Sequence, residues 1–211
     1  MEVLASGREA EVFALDDDRV LRRFRDPARS AGATVGLLDR LTGLGYPVPA
    51  VLSWDGHELV QERVNGPRMD EAMTAGALAP SDAGLMLAGL LDRLHALPWG
   101  AEPLLHLDLH PQNVLLGDDG PVVIDWSNSR PGPPGLDVAM SGLILAQVAV
   151  AEPATYADVV AVLVGTMTGA VATEVVPYVD DAVALRRSDP NMTELELAQM
   201  GRAKDLLLSL C

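Results

Sequence analysis

Cysteine and lysine each occur once in the 211 residues, as Cys211 and Lys204. One cysteine permits neither an intramolecular disulfide nor a cysteine-based metal site, and a reducing compartment, the cytoplasm, is the expected setting. Positive charge is scarce: 15 Lys and Arg stand against 30 Asp and Glu, for a net charge of −15. Such a surface repels a phosphate backbone, so nucleic acid is not an expected partner. It attracts cationic ligands, and equally it serves solubility. The opening MEVLASGREAEV lacks a basic stretch followed by an apolar one, so no secretory signal is expected. The apolar region from Val138 to Ala172 is interrupted by Glu152, Pro153 and Asp158. This leaves runs of about fourteen residues, short of the ~20 that span a bilayer. Buried helices are expected there, and no membrane. Glutamate is also missing between Glu11 and Glu58, a gap that matters below.

Hydrophobic residues at 49% and charged ones at 21% are those of a folded protein large enough for one domain or two small lobes. The first third reads as strands. Glu11 to Leu15 and Arg19 to Phe24 flank Asp16-Asp17-Asp18, a hairpin signal. A helix is expected from about Arg29 to Leu44, with Val35, Leu38 and Leu41 at three-residue spacing and Gly45 and Pro47 as its stop. Ala50 to Trp54 and Glu58 to Val64 follow, joined through the turn dipeptide Asp55-Gly56. Asn65-Gly66-Pro67 is the expected boundary, dividing a first lobe, 1–66, from a second, 67–211. Beyond it Ser81 is placed to cap a helix that Pro98 stops. A loop-and-hairpin insert spans about Leu105 to Pro134. Helices are expected over Asp137 to Ala151, Tyr156 to Thr173, and after Thr193, where Glu196 completes a capping box. Strands first and helices afterwards predict an α+β fold with segregated lobes.

The densest chemical signal is His106-Leu107-Asp108-Leu109-His110-Pro111-Gln112-Asn113, followed by Val122-Val123-Ile124-Asp125-Trp126. Asn113 opens the apolar run Val114-Leu115-Leu116 and Asp125 closes Val122-Val123-Ile124, with Gly117-Asp118-Asp119-Gly120 as the turn. A hairpin centred on Asp119 sets Asn113 opposite Asp125. An amide oxygen and a carboxylate side by side are hard ligands suited to Mg²⁺ with phosphate oxygens completing its shell. Asp108, five residues before Asn113, can face an incoming hydroxyl.

HLDLHPQN…VIDW resembles the catalytic and metal-binding segments of the aminoglycoside phosphotransferase and choline kinase group, which shares the bilobal protein-kinase-like fold. The resemblance runs from about Ser6 to Ala146 and includes Gly45-Tyr46-Pro47-Val48-Pro49. It implies an N-terminal antiparallel sheet lobe with one helix and a mainly helical C-terminal lobe. It implies a kinase moving the γ-phosphate of ATP or GTP to a hydroxyl of a small molecule of aminoglycoside, amino-alcohol or sugar type, with Mg²⁺. By position, Asp108 would receive the hydroxyl proton, His110 would stand near the transferred phosphate, and Asn113 and Asp125 would hold Mg²⁺. Glu62 to Val64 would offer backbone groups to the nucleobase. Val12, Val20, Leu115 and Ile124 would form the apolar faces around it. Asp137 would anchor the catalytic loop.

Two departures stand out. The group's third-strand lysine is replaced by Arg22, on the same face of the strand as Val20, and counting back from Gly45 puts Thr34 where the helix glutamate belongs. The phosphate loop, Ala5 to Ala10, has one glycine, Gly7. These leave a second reading open, a nucleotide-binding pseudokinase without transfer. Plainer readings also hold for single residues: Asp137 as a helix cap, His95 as a helix C-terminal dipole partner, and His106 as a structural hydrogen-bonder. Asp180, Asp181, Asp189 and Glu194 are acids available to a cationic acceptor, or simply solvated. His106, Asp108 and His110 have a spacing that zinc can use, with no separate ligand cluster to support it.

Overall fold

The structure, a computed structural model, describes residues 2–6, 10–25 and 31–211. Gly7 to Glu9 of the expected phosphate loop, and the Arg29 start of the first helix, lie outside the described residues. The chain divides into two compact units, one of residues 1–68 and 114–127, the other of 69–113 and 128–211. The sequence division at 66/67 put the hairpin after Asn113 in the second part, whereas by compactness it groups with the first.

The first unit is built on an antiparallel sheet of five strands: β1 (Glu2–Ser6), β2 (Ala10–Ala14), β3 (Arg19–Phe24), β4 (Val51–Asp55) and β5 (Glu58–Glu62), in the order β1-β2-β3-β5-β4. β1 was not expected from the sequence. The β2–β3 turn closes as its three aspartates predict: the Asp18 N–H donates to Asp16 Oδ1 at 3.1 Å, and Arg19 donates to Asp16 Oδ2 through Nε and Nη2. The Arg19 guanidinium holds the Asp16 carboxyl below its usual range. Gly56, at φ +54°, supplies the β4–β5 turn. α1 (Ala31–Gly43) buries Ala31, Val35, Leu38 and Leu41, the expected stripe, and packs against β4 and β5. It stops where Gly45 takes φ +75°.

The second hairpin of this unit is β7 (Val114–Gly117) with β8 (Gly120–Val123). Its pairs run from Val114↔Val123 to Gly117↔Gly120. The loop is therefore the two residues Asp118-Asp119 rather than a turn centred on Asp119, and Asn113 and Asp125 are not a strand pair. Trp126 fastens the end of the hairpin: its ring meets Tyr46 edge-on at 5.6 Å, and its Nε1–H donates to the Val123 carbonyl. The Val123 N–H donates to the Pro47 carbonyl. The segment leaving the sheet is stitched to the same hairpin, with Leu116 N–H donating to Pro67 O and Arg68 bridging Leu115.

The second unit is mainly helical: α2 (Met69–Thr74), α3 (Pro80–His95), α4 (Pro134–Ala151), α5 (Pro153–Ala170), α6 (Val179–Arg187) and α7 (Glu194–Leu210), with short strands β6 (Leu104–Leu105) and β9 (Arg130–Pro131) paired antiparallel. α2 and α6 were not expected. α4 packs against α5, α6 and α7 and is buried almost all round. Among the described residues it is the one helix long and apolar enough to cross a membrane, and 83% of it is buried inside the protein. Gly84 of α3 lets α5 approach, since a Cβ there would lie 2.5 Å from the Leu163 carbonyl oxygen. The capping box at Thr193 and Glu196 forms as expected. Two expected caps do not. α3 takes Ala79 as N-cap with Pro80 in its first turn, because proline needs no N–H partner there. Ser81 consequently lies inside the helix. Likewise Pro133 caps α4, and Asp137 lies a full turn in.

Gly66, at φ +155°, sits so close to the hairpin that a Cβ would lie 1.9 Å from the Leu116 carbonyl oxygen. Gly66→Ala is expected to destabilise the protein by roughly 3 kcal/mol through combined strain and overlap. Gly36→Ala, in α1 with nothing within 4 Å of the added methyl, is expected to stabilise it by about 0.5–1 kcal/mol. Urea midpoints at unchanged m-value check both.

Candidate active site

The acid of the expected catalytic loop is placed by a second, buried acid. Asp137 is fully buried. Its Oδ2 accepts from the His106 N–H at 2.8 Å and meets His95 Nε2 at 2.9 Å, while its Oδ1 accepts from the Leu107 N–H at 2.6 Å. A buried carboxylate persists only when its lone pairs are satisfied, and hydrogen bonds to charged groups contribute about 1.5–3 kcal/mol each. This outweighs a local strain: Leu107 has φ +63°, a left-handed conformation that costs a leucine about 1–2 kcal/mol. Its side chain is buried, and the turn throws Asp108 outward. Asp137 is thus the loop anchor that the resemblance implies and not a helix cap. His95 is not a dipole partner but part of this anchor, with only 7% of its side chain exposed.

Asp108, His110 and Asn113 come together. His106, fully buried, accepts the Asp108 N–H at Nδ1 over 3.2 Å, which puts the proton of its neutral ring on Nε2. The Asn113 Nδ2 donates to the Asp108 carbonyl at 2.8 Å and lies 3.4 Å from Asp108 Oδ2. His110 Nε2 is 3.6 Å from Asp108 Oδ1 and 3.4 Å from Asn113 Nδ2. A 3₁₀ turn, Pro111–Asn113, sets this spacing. With its amide nitrogen turned to Asp108, Asn113 keeps its amide oxygen as the group able to serve a cation. Among the described residues no three His, Cys, Asp or Glu side chains gather as a metal-ion cluster.

Asp125 and Arg22 form a separate group in the first unit. Asp125 leaves the β8 strand at φ +60°. Its Oδ1 accepts from Ser127 Oγ at 2.7 Å and lies 3.6 Å from Arg22 Nη2. Arg22 in turn lies over the Phe24 ring, 5.1 Å from its centroid. A cavity of about 30 Å³ joins Arg22, Asp125, Thr34, Gln61, Ile124 and Trp126. Thr34 is therefore on the same wall as Arg22, where the helix glutamate was sought, and carries no charge. A larger open groove of about 360 Å³, lined by Glu11, Arg23, Phe24, Arg25 and His57, lies elsewhere on this unit. Two of its arginines are paired, Arg23 with Glu58 and Arg25 with Glu11.

Val12, Val20, Leu115 and Ile124 are half-buried, and Ile124 lines the small cavity beside Arg22. Val12 is paired with Arg22 across β2 and β3, and Val20 with Gln61 across β3 and β5. At the expected nucleobase segment, Glu62 N–H donates to Ala50 O and Arg63 N–H to Asp18 O. No hydrogen bond joins the Val64 backbone to another described residue. Two of the acids named for a cationic acceptor are engaged: Asp180 by Lys204, and Asp189 by Arg186 and Asn191. Gln61, Ser127 and the partnership of His95 with Asp137 were not expected from the sequence. Ser127, two residues after Asp125, has the spacing of a local hydroxyl–carboxylate turn. The His95 pairing spans 42 residues and leaves no local pattern.

Asp137→Ala strips the acceptor from two backbone N–H groups and from His95. It is expected to cost about 3–5 kcal/mol and to speed hydrogen exchange at the His106 and Leu107 amides well beyond the global loss. Exchange mass spectrometry on peptides covering 104–110 reads this directly.

The sequence matches the profile of the phosphotransferase enzyme family over residues 1–104 and 67–161. No curated protein matches it. Among solved structures, the ADP-bound aminoglycoside phosphotransferase APH(2'')-Ib is similar with a TM-score of 0.63 at 12% identity, covering 97% of this chain and 90% of that one. The gentamicin complex of APH(2'')-IIa gives 0.62 at 13% identity, covering 98% and 90%. A choline/ethanolamine kinase family protein from Mesorhizobium loti gives 0.58 at 18% identity, covering 99% and 87%. At these identities the likeness is one of fold, the α+β kinase-like fold expected from the sequence. With the family profile extending over most of its length, through both groups of site residues, the chain belongs to the phosphotransferase enzyme family.

Proposed function

We propose that this protein is a Mg²⁺-dependent kinase that transfers the γ-phosphate of ATP or GTP to a hydroxyl of a small molecule. The observation that carries the reading is the Asp108 carboxylate, about a quarter exposed at the tip of a loop whose backbone is locked by Asp137. A group held this way loses little entropy when it meets an acceptor alcohol, and positioning is most of what phosphoryl transfer asks of a protein. As the alcohol oxygen bonds to phosphorus and the bond to the β-phosphate oxygen breaks, the alcohol proton passes to Asp108. In this reading His110 donates a hydrogen bond to the phosphate in flight, and Arg22 meets the phosphates of the nucleotide.

Each unit holds a residue that fits a magnesium ion: Asp125 of the first offers a carboxylate with 43% of its side chain exposed, and Asn113 of the second offers an amide oxygen. Both are hard oxygen ligands of the kind Mg²⁺ takes when phosphates complete its shell. A bound ion would neutralise phosphate charge. Val12, Val20, Leu115 and Ile124 would flank the base, and the unengaged Val64 backbone supports a hydrogen bond to its edge, with Glu62 beside it.

For the acceptor, gentamicin and kanamycin are bound by relatives of this fold, and the net charge of −15 favours a cationic molecule. Amino-sugars, amino alcohols and sugars are the classes to screen. The competing reading, a pseudokinase that binds nucleotide without transfer, draws on Arg22 and Thr34 in place of the lysine and glutamate.

A coupled assay of nucleotide turnover over those three classes, paired with thermal shift, separates the two. Turnover with any acceptor, lowered about 10²–10⁴-fold by Asp108→Asn while nucleotide still stabilises the variant, supports transfer. Nucleotide stabilisation with no turnover across the screen supports the pseudokinase. Asp125→Asn is expected to abolish the Mg²⁺-dependent part of the thermal shift and leave the metal-free part.

A further inference from the structure

Arg22 has one anionic partner among the described residues, Asp125, the acid read above as a metal ligand. The usual alternative is absent: the one acid of α1, Asp39, is exposed, and the α1 residues lining the cavity with Arg22 are Thr34 and Leu38. The guanidinium is held in place by its own packing. Its side chain is 16% exposed and it lies over Phe24, so it does not simply swing into solvent. A divalent ion at Asp125 would stand within a few ångströms of a fixed positive charge. Two cations then contend for one carboxylate, whose Oδ1 also receives the Ser127 hydroxyl.

We propose that Arg22 is a place-holding cation for Asp125, opposing a divalent ion until nucleotide phosphates engage the guanidinium, so that metal and nucleotide are taken up together rather than metal first. The physical ground is linkage. A guanidinium has five N–H donors in a planar fork, and a polyphosphate offers it more negative charge than one half-exposed carboxylate. Once phosphates pair with Arg22 where it stands, its repulsion of a divalent ion at Asp125 is offset, and each ligand favours the other by the same factor. An arginine held by an acid on the helix would not create this link, because the metal carboxylate would be uninvolved. The inference rests on the reading of Asp125 as a metal ligand, and the experiment tests that separately.

The probe is Mn²⁺, titrated by electron paramagnetic resonance into nucleotide-free protein, wild type beside Arg22→Met and Arg22→Gln. Methionine keeps an apolar stem over Phe24, and melting curves verify that the variants fold. A partly exposed ion pair corresponds to a few-fold change in affinity, so both variants are expected to bind Mn²⁺ about three- to five-fold more tightly. The same variants should bind nucleotide in EDTA at least five-fold more weakly, while Arg22→Lys stays near wild type in both measurements. Opposite shifts are the signature, since a merely structural role moves both affinities the same way or neither. Unchanged or weakened Mn²⁺ binding in both uncharged variants, with Asp125→Asn still removing the bound Mn²⁺, overturns the place-holder and leaves Asp125 as a ligand. Mn²⁺ binding indifferent to Asp125→Asn overturns the metal assignment and this inference with it.

Discussion

The buried carboxylate of Asp137 is the constraint on which the second unit's chemistry depends. A charge removed from water must be compensated locally, and here the compensation comes from two backbone N–H groups and His95, contributed by a loop and a helix far away in sequence. Each partner is fixed by satisfying the acid. The loop accepts a left-handed leucine, and the residue after it, Asp108, projects from a backbone with little freedom left. A second layer repeats the device on a smaller scale, with His106 Nδ1 receiving the Asp108 N–H and the Asn113 amide closing on the Asp108 carbonyl. The backbone of Asp108 is thereby held on both sides, and its carboxylate oxygens face Asn113 Nδ2 at 3.4 Å and His110 Nε2 at 3.6 Å.

The residues of this arrangement were legible in the sequence because they stand close together in the chain. His106, Asp108, His110 and Asn113 lie within eight positions, and local geometry alone brings them together. The β2–β3 and β4–β5 hairpins were legible for a similar reason: three aspartates and an Asp-Gly pair leave the chain little choice but to turn. What could not be read depended on tertiary partners. The pairing of His95 with Asp137 is made across 42 residues by helix packing. Asp137 looked like a cap because prolines and a glycine precede it, yet those same prolines begin the helix themselves. The hairpin after Asn113 was expected to pair one residue out of its true register, because a two-residue loop and a three-residue turn share the same Gly-Asp-Asp-Gly string. β1 and α6 escaped notice because both are short, five and nine residues, too few to display a period clearly.

The charge arrangement of the first unit departs from what the family resemblance implies, and the departure is coherent. Loss of a helix acid, replacement of lysine by arginine and a serine two residues past Asp125 are separate changes in sequence. In space Arg22, Asp125 and Ser127 form one connected set, with Thr34 lining the same small cavity. The guanidinium of Arg22 lies 5.1 Å from the Phe24 ring centroid, and its planar fork carries donors for more than one anion.

The β7–β8 hairpin belongs to the first unit although the residues on both sides of it belong to the second. The polypeptide thus passes from one unit to the other three times, at 68/69, 113/114 and 127/128. During synthesis the five-stranded sheet emerges early, but its unit cannot be completed until residue 127 has left the ribosome, by which time α2 and α3 are already outside. Neither unit is a contiguous stretch that could be excised, and a fragment ending at residue 66 would expose the surface that Tyr46 and Pro47 otherwise keep covered with Trp126 and Val123.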